Sequence, residues 1–289
     1  MGEEGEEATS VTGVPPPEDE EVEEGRAPKT RECPASMTEE EFRVHSLTHI
    51  PYHPGCRCCV AARKRDYKHP RRSSGNVGTS SGGAEDEASL GASLCADYFF
   101  PRNKPGEESV TALAICDTTS QFLAAHVVDA KGASASSAVR QVLRDLRKMG
   151  HYGDIKVRSD QESSISDLFR AVAKERGSAR TVLTHAARND SKGNGQAEKA
   201  VQSIEEMVRT LFIDLEQRCG EEISVHDEFF PWLVEHACDL LNRFKVRKGN
   251  KTAWEYLTGE HYAGEIYPFG TPVMHRFSGP VQGGLIAKR

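Results

Sequence analysis

Three acidic residues occupy positions from which their carboxylates could converge. Asp97 lies in a short apolar run, Asp160 ends another, and Glu198 opens a long helical pattern after the loop 191–195. Carboxylates gathered at one sheet edge repel one another and are costly to bury without cations. Two divalent ions such as Mg²⁺, about 3.5–4 Å apart, can support displacement at a phosphodiester. The pattern indicates such a site; the alternative is that these acids only cap strand ends and a helix start.

A cluster of histidines and cysteines lies upstream. Two histidines four residues apart, expected on one face of a short helix, precede a loop of six residues and a C-x-x-C pair: His45, His49, Cys56 and Cys59. Two imidazoles and two thiolates make a closed tetrahedral set for structural Zn²⁺, which would also supply folding energy. His53 and Cys58 are spare donors. The alternative is a pair of surface histidines with free thiols on a loop.

Basic residues follow the cysteines and also flank the third acid. Residues 57–72 hold seven Lys/Arg against one Asp. Such a run could bind DNA phosphates without recognising the base sequence. The run could equally be a nuclear-import signal or a solvated linker. The residues expected to contact nucleic acid are Arg63, Lys64, Arg65, Lys192 and Lys199.

The apolar pattern predicts the elements that would position these side chains. Three short apolar runs separated by turn residues predict an antiparallel meander at 94–100, 110–116 and 122–128. Asp117 is expected to cap the turn before the third strand. Beyond it, the pattern predicts helix, strand, helix, strand and two helices, at 135–149, 155–158, 165–174, 180–183, 196–218 and 231–244. This order predicts an α/β fold with a mixed sheet flanked by helices.

Charge and composition divide the 289 residues. The formal net charge is −7, but residues 1–41 hold 14 of the 44 acidic and 3 of the 37 basic residues, so the remainder is mildly basic. We expect a disordered acidic tail, a zinc module with the basic run, a Ser/Gly-rich linker, a catalytic core and a C-terminal extension, at 1–36, 37–72, 73–93, 94–250 and 251–289. With no signal-peptide pattern, no run of ~20 apolar residues and clustered cysteines, an intracellular protein without a membrane partner is expected.

From about residue 94 to residue 275 the chain resembles the integrase catalytic core of copia/gypsy-type LTR retrotransposons and of retroviruses. The resemblance rests on seven motifs in order: Asp97-Tyr98-Phe99; Ala114-Ile115-Cys116-Asp117-Thr118-Thr119-Ser120; Lys131-Gly132; Arg158-Ser159-Asp160; Asn194-Gly195-Gln196-Ala197-Glu198; Trp232, Ala237 and Asn242 with Lys251-Thr252-Ala253-Trp254-Glu255 and Gly259; and Phe269-Gly270. In that family an HHCC zinc module precedes the core, where this chain has its His/Cys cluster.

The resemblance implies an RNase H-like five-stranded sheet and a D,D,E triad of Asp97, Asp160 and Glu198 that holds two Mg²⁺ or Mn²⁺ ions. It implies 3′-end processing and strand transfer on double-stranded DNA, by a homo-oligomer in the nucleus. Two departures stand out: Gln161-Glu162 replaces the usual pair after the second aspartate, and Gln202 and Glu205 replace lysines common in retroviral integrases. A decayed or host-adopted integrase-derived nucleic-acid-binding protein and an RNase H-type nuclease are the other interpretations.

Overall fold

The computed structural model describes residues 37–63, 91–133, 136–185, 195–247 and 249–273. The helices are α1 Glu39–His45, α2 Arg57–Ala62, α3 Ser136–Lys148, α4 Ser163–Arg176, α5 Gly195–Cys219, α6 Phe230–Phe244 and α7 Ala253–Thr258. The strands are β1 Ala92–Phe99, β2 Thr111–Asp117, β3 Leu123–Val128, β4 Ile155–Ser159 and β5 Thr181–His185. The predicted acidic tail, most of the predicted linker, and Lys64, Arg65 and Lys192 lie outside the described residues. None of the helices in these ranges has the length and apolar character that crossing a membrane requires.

The five strands form one mixed sheet in the order β3-β2-β1-β4-β5. β1, β2 and β3 make the predicted antiparallel meander. β4 runs parallel to β1, and β5 runs parallel to β4. Helices pack on both faces of the sheet, so the predicted RNase H-like mixed sheet flanked by helices is confirmed.

The two faces of the sheet bury separate apolar cores. Because side chains alternate along a strand, β1 sends Cys95 and Phe99 to one core and Leu94 and Ala96 to the other. Helices α5 and α6 cover the first core, and α3 and α4 cover the second. Asp97 shares the parity of Cys95 and Phe99, so β1 presents it on the face that α5 covers.

Helix α5 links the first core to the His/Cys cluster. Its apolar stripe is packed against the sheet, with Ile204 and Leu211 almost fully buried. Its first turn carries Glu198, while residues further along contact α2. The packing that the apolar stripe provides therefore fixes one end of the helix near the carboxylates and another part near the cysteines.

Two short helices begin at a sequence signal that can be recognised in advance. Thr38 and Glu41 form a capping box at α1, and Thr252 and Glu255 form a second one at α7. Helix α7 lies in the segment predicted as a C-terminal extension, and Ala253 is fully buried in the second core.

Candidate functional site

The His/Cys cluster is a compact group of four buried side chains. The ligand atoms of His45, His49, Cys56 and Cys59 all lie within 4.8 Å of one another. His45 Nε2 lies 3.3 Å from Cys59 Sγ. His49 Nδ1 lies 3.5 Å from Cys56 Sγ and 3.8 Å from Cys59 Sγ. Nitrogen and sulfur ligands about 2.1 and 2.3 Å from a tetrahedral Zn²⁺ would be about 3.6 Å apart. The four predicted ligands therefore have the spacing of a zinc site.

The backbone that brings the two histidines together differs from the prediction. Helix α1 ends at His45, and His49 lies beyond it with a left-handed φ of 53°, so the expectation of one shared helix face is wrong. The helix ends because the chain turns at 46–48, and His49 N donates to His45 O at 2.7 Å, as left-handed residues do at helix ends. The turn still holds the two ring centroids 5.2 Å apart.

The two predicted cysteine ligands lie at the start of α2. Cys56 is the N-cap and Cys59 is in the first turn, so the C-x-x-C spacing turns both side chains to one side. Burial raises the pKa of the Cys59 thiol to about 12, so a thiolate at this position requires a nearby cation. Burial also lowers the pKa of His45 to about 4, helped by the charges of His49 and His53. His45 is therefore neutral at pH 7, the form that binds metal.

The two spare donors have partners elsewhere. His53 Nδ1 accepts a hydrogen bond from Gly55 N at 3.0 Å. Cys58 Sγ lies against α5, 3.4 Å from Gln217 Oε1. Cys58 does belong to a second close group, with His49 and Asp214, but that group shares its histidine with the first. The set that the sequence favours is the one with two imidazoles and two thiols.

Asp214 connects this cluster to α5 and was missed in the sequence. Its Oδ1 lies 3.5 Å from His49 Nε2, the ring nitrogen on the side away from the sulfurs. Arg218 Nε donates to Asp214 Oδ2 at 2.8 Å, and Arg218 also donates to Phe269 O. Burial opposes ionisation of Asp214, but His49 and Arg218 outweigh it and lower its pKa. Carboxylates in this position orient metal-binding histidines. No spacing pattern in the sequence links Asp214 to His49, because the two lie far apart in the chain.

The three predicted acids come from three elements. Asp97 lies near the end of β1, Asp160 follows the last residue of β4, and Glu198 is in the first turn of α5. The parallel register pairs Cys95 with Arg158, so continuing both strands by two residues brings Asp97 alongside Asp160. Asp97 is half-buried and Glu198 is exposed. The fold therefore brings the three acids to one end of the β1–β4 pair, open to solvent.

The ionisation of Asp97 responds to its burial and to the acids around it. Burial, followed by the charge of Asp160, raises the pKa of Asp97 to about 6, with smaller contributions from Glu162 and Glu198. The Tyr98 N–H opposes this, donating to Asp97 Oδ1 at 2.8 Å. Yet the oxygens of the three predicted acids do not form a group within 4.8 Å, as the His/Cys ligands do in the described ranges. This site is open and mutually repulsive, the condition that divalent cations relieve.

Glu162 is a fourth acid near Asp97, Asp160 and Glu198. It is one of the two residues after Asp160 that differ from the family pattern. Glu162 precedes α4, and its N–H donates to Asp160 Oδ1 at 3.2 Å. Its carboxylate pairs with Lys131 Nζ at 2.5 Å. Lys131 lies 4.7 Å from the centroid of the Phe100 ring. The substituted turn thus adds an acid beside the triad, together with a cation that compensates it.

Two further predictions can be located. Asp117 caps its turn as predicted, accepting from Thr119 N at 3.0 Å and from Ser120 Oγ at 2.6 Å. Of the basic residues expected to contact nucleic acid, Arg63 stacks 4.2 Å from the Tyr52 centroid and Lys199 is exposed beside Glu198. Lys64, Arg65 and Lys192 belong to the ranges that are not described. Contact with nucleic acid stays a prediction for all five residues.

Comparisons with known proteins return structural likenesses only. No protein-family model matches the chain, and no curated protein sequence does. The catalytic core domain of BIV integrase is similar over 57% of this chain and 92% of its own, at 14% identity and TM-score 0.40. A chain of the simian T-cell lymphotropic virus intasome, in complex with PP2A regulatory subunit B56 gamma, is similar over 64% and 60%, at 13% and 0.44. The HTLV-2 integrase catalytic core in complex with magnesium, in a trimeric form, is similar over 57% and 95%, at 13% and 0.40. Such values assign no role to any residue here.

Proposed function

We propose that this chain is a retrotransposon-type integrase, a metal-dependent polynucleotidyl transferase that processes DNA 3′ ends and joins them to target DNA. The observation that carries the proposal is the meeting of Asp97, Asp160 and Glu198, from three separate elements, at one end of the β1–β4 pair. The raised pKa of Asp97 supports it: burial raises this pKa most, and the charges of Asp160, Glu162 and Glu198 raise it further.

The proposed cofactors are two Mg²⁺ or Mn²⁺ ions. Asp97 and Asp160, on neighbouring strands, would hold the metal ions. Glu198, in the first turn of α5, would complete the site of the second ion. When bound, such ions supply an activated attacking oxygen and neutralise charge on the leaving oxygen. The attacking oxygen is that of water in end processing and of a DNA 3′-hydroxyl in joining. The three carboxylates orient the site, and the apolar stripe of α5 sets where Glu198 stands.

For the His/Cys cluster we propose a structural Zn²⁺ bound by His45, His49, Cys56 and Cys59. The support is a closed, buried set of four donors, without the open position that a catalytic zinc keeps. Its contacts with α5 through Asp214 and Gln217 suit an architectural role. The proposed substrate is double-stranded DNA, both element ends and target, bound by a homo-oligomer in the nucleus.

The experiment is strand transfer of a labelled DNA end by the full chain, with Mg²⁺ or Mn²⁺, beside the variant Asp160→Asn. Asp167→Asn is the matched control, since Asp167 is an exposed acid on α4 whose ion pair in the described ranges is with Arg170 on the same helix, at 2.5 Å. Products that require the metal, survive in Asp167→Asn and vanish in Asp160→Asn would support the proposal. Products of equal yield in both variants would overturn it.

A second candidate is a decayed or host-adopted integrase derivative that binds nucleic acid without catalysis. The observation favouring it is the altered turn after Asp160, where Glu162 adds a fourth acid paired with Lys131. This candidate predicts metal-independent DNA binding and no products with any DNA end. Restoring products by Glu162→Gln would instead show that the extra acid alone suppresses the reaction.

A further inference from the structure

A cavity of about 280 Å³ lies beside α5. It is bounded by the first turns of α5, the turn between β2 and β3, and the segment that follows α6. Three basic side chains line it, and none of the described lining residues is acidic: Lys199, Lys245 and Arg247. An excess of cations around a cavity is the composition of an anion site.

Arg247 is the most informative of the three. Its Nε and Nη2 atoms are buried and have no hydrogen-bond partner among the described residues. Burial lowers the pKa of Arg247, yet a guanidinium stays charged at any physiological pH. Buried charged donors without acceptors are strongly disfavoured unless a ligand completes them. The fold therefore holds an incomplete set of donors at this point.

Lys245, near Arg247, is a second partly buried cation in this cavity. Its Nζ donates to the neutral hydroxyl of Ser203 at 3.1 Å. Burial first, and then the charge of Arg247, lower the pKa of Lys245, and the charge of Glu206 offsets this only in part. Glu206 also faces Arg63 Nε, 3.7 Å away. Two half-buried cations thus lie close enough to repel each other, and an anion between them would relieve that repulsion.

We propose that this cavity binds a backbone phosphate of DNA. Lys199 lines the cavity from the first turn of α5, adjacent in sequence to Glu198, so a strand held here passes close to the carboxylate site. The positive end of the α5 dipole adds to the attraction. That the anion belongs to DNA rests on the proposed function, whereas the binding of a phosphate group does not.

The test is Arg247→Gln in the full zinc-loaded chain, with Arg140→Gln as the matched control. Arg140 is exposed on α3, on the opposite face of the sheet, and its described hydrogen bond is to Ser136 Oγ at 3.4 Å. Binding of labelled duplex DNA is measured by anisotropy across a salt series. One lost phosphate contact should reduce the slope of log Kd against log salt by about 0.9, without changing sequence preference. We expect that change in Arg247→Gln alone; equal slopes for the two variants would overturn the proposal.

A second measurement separates this inference from the proposed function. Inorganic phosphate should raise the thermal midpoint of the wild type above that in chloride at matched ionic strength, and should fail to do so in Arg247→Gln. In phosphate-free buffer the variant should unfold no earlier than wild type, since it loses an unpaired charge; a midpoint several degrees lower would mark Arg247 as structural and overturn the proposal. Phosphate stabilisation without strand transfer would leave the anion site standing and count against the integrase.

Discussion

The two metal sites proposed here share α5 but are organised in opposite ways. The His/Cys cluster is closed: four buried donors lie within 4.8 Å, and Asp214 stands behind one of them. The carboxylate site is open: its members sit on separate elements, and burial together with like charge raises the pKa of Asp97 to about 6. The four donors of the His/Cys cluster already have the spacing of a bound metal site, whereas the carboxylates carry like charge that divalent ions would neutralise.

This difference separates a structural role from a catalytic one. A structural zinc is surrounded by protein donors and gives its binding energy to folding. A catalytic centre must leave positions on its metal ions for water and substrate. The protein therefore does not surround those ions completely with its own donors. The His/Cys cluster should therefore govern stability, and the carboxylates should govern activity with little effect on stability. Four changes can break or sharpen this division.

The largest effect is expected from Cys59→Ser. The variant should lose the bound Zn²⁺ and most of the energy that holds α2 against α5. Metal binding in small zinc modules contributes on the order of 10 kcal/mol to folding, so unfolding should begin several degrees earlier at least. Metal content and thermal denaturation, each with and without chelator, measure this. Cys219→Ser is the control, because Cys219 is a free exposed thiol; equal behaviour of the two serine variants would contradict a structural zinc.

Glu198→Gln should produce the opposite profile. Removing one carboxylate from a two-metal site should lower strand transfer on the order of 10³-fold, equivalent to about 4 kcal/mol in the barrier. Thermal stability should stay close to wild type, because Glu198 is exposed. Glu205→Gln is the control, because Glu205 lies on the same helix and its ion pair among the described residues is with Arg209 at 3.6 Å. A variant that lost stability while keeping activity would break the proposed division of roles.

The parts of both sites that were predictable from sequence depend on local spacing. The C-x-x-C pair, the capping box of Thr38 and the apolar stripe of α5 each lie within a few residues, where helix geometry applies directly. Asp97 and Asp160 were recognised because Asp97 lies within a short apolar run and Asp160 ends another. The predicted meander also gave the pairing of β1 with β2 and of β2 with β3.

The residues that were not predictable act through contacts between distant segments. Asp214 reaches His49 only because α5 packs on α2, and no spacing links the two in sequence. Arg247 resembles any surface arginine until the fold encloses it. His49 was placed on the wrong element because left-handed backbone in a histidine has no clear sequence signal. Tertiary packing decides each of these cases.

A smaller effect is expected from Asp214→Asn. The amide keeps the shape but loses the charge that faces His49 Nε2 at 3.5 Å, so Zn²⁺ affinity should fall about 10–100-fold. Competition with a chromophoric chelator measures this loss. Asp239→Asn is the control, since Asp239 is a half-exposed acid on α6 that pairs with Arg243 at 3.7 Å. An unchanged zinc affinity in Asp214→Asn would show that Asp214 does not contribute to metal binding beyond the four donors.

A third cluster, buried like the His/Cys cluster, sharpens the comparison because a proton takes the place of a metal. His126 of β3 lies between two carboxylates, with Nε2 2.5 Å from Asp145 of α3 and Nδ1 2.9 Å from Glu235 of α6. Burial opposes the charged ring, but Asp145 and Glu235 outweigh it and raise the pKa of His126. Arg144 also faces Glu235 at 3.1 Å, and Lys148 faces Asp145 at 3.9 Å. The three elements are joined by an imidazolium that needs no cofactor.

The smallest effect is the pH dependence of this cluster. Because the folded-state pKa of His126 is raised, its stabilisation is complete below the ordinary histidine pKa of 6.5 and is lost as pH rises through the folded-state value. Loss of one proton changes the free energy of unfolding by at most about 1.4 kcal/mol per pH unit. Denaturant unfolding from pH 6 to pH 9 should show this decline in wild type and in the exposed-residue control His261→Gln, with a flatter profile in His126→Gln. Chelator should leave the profile's shape unchanged, because the proton at His126 and the metal at His49 act on different elements; a chelator-dependent slope would mean that the two buried clusters are one cooperative unit.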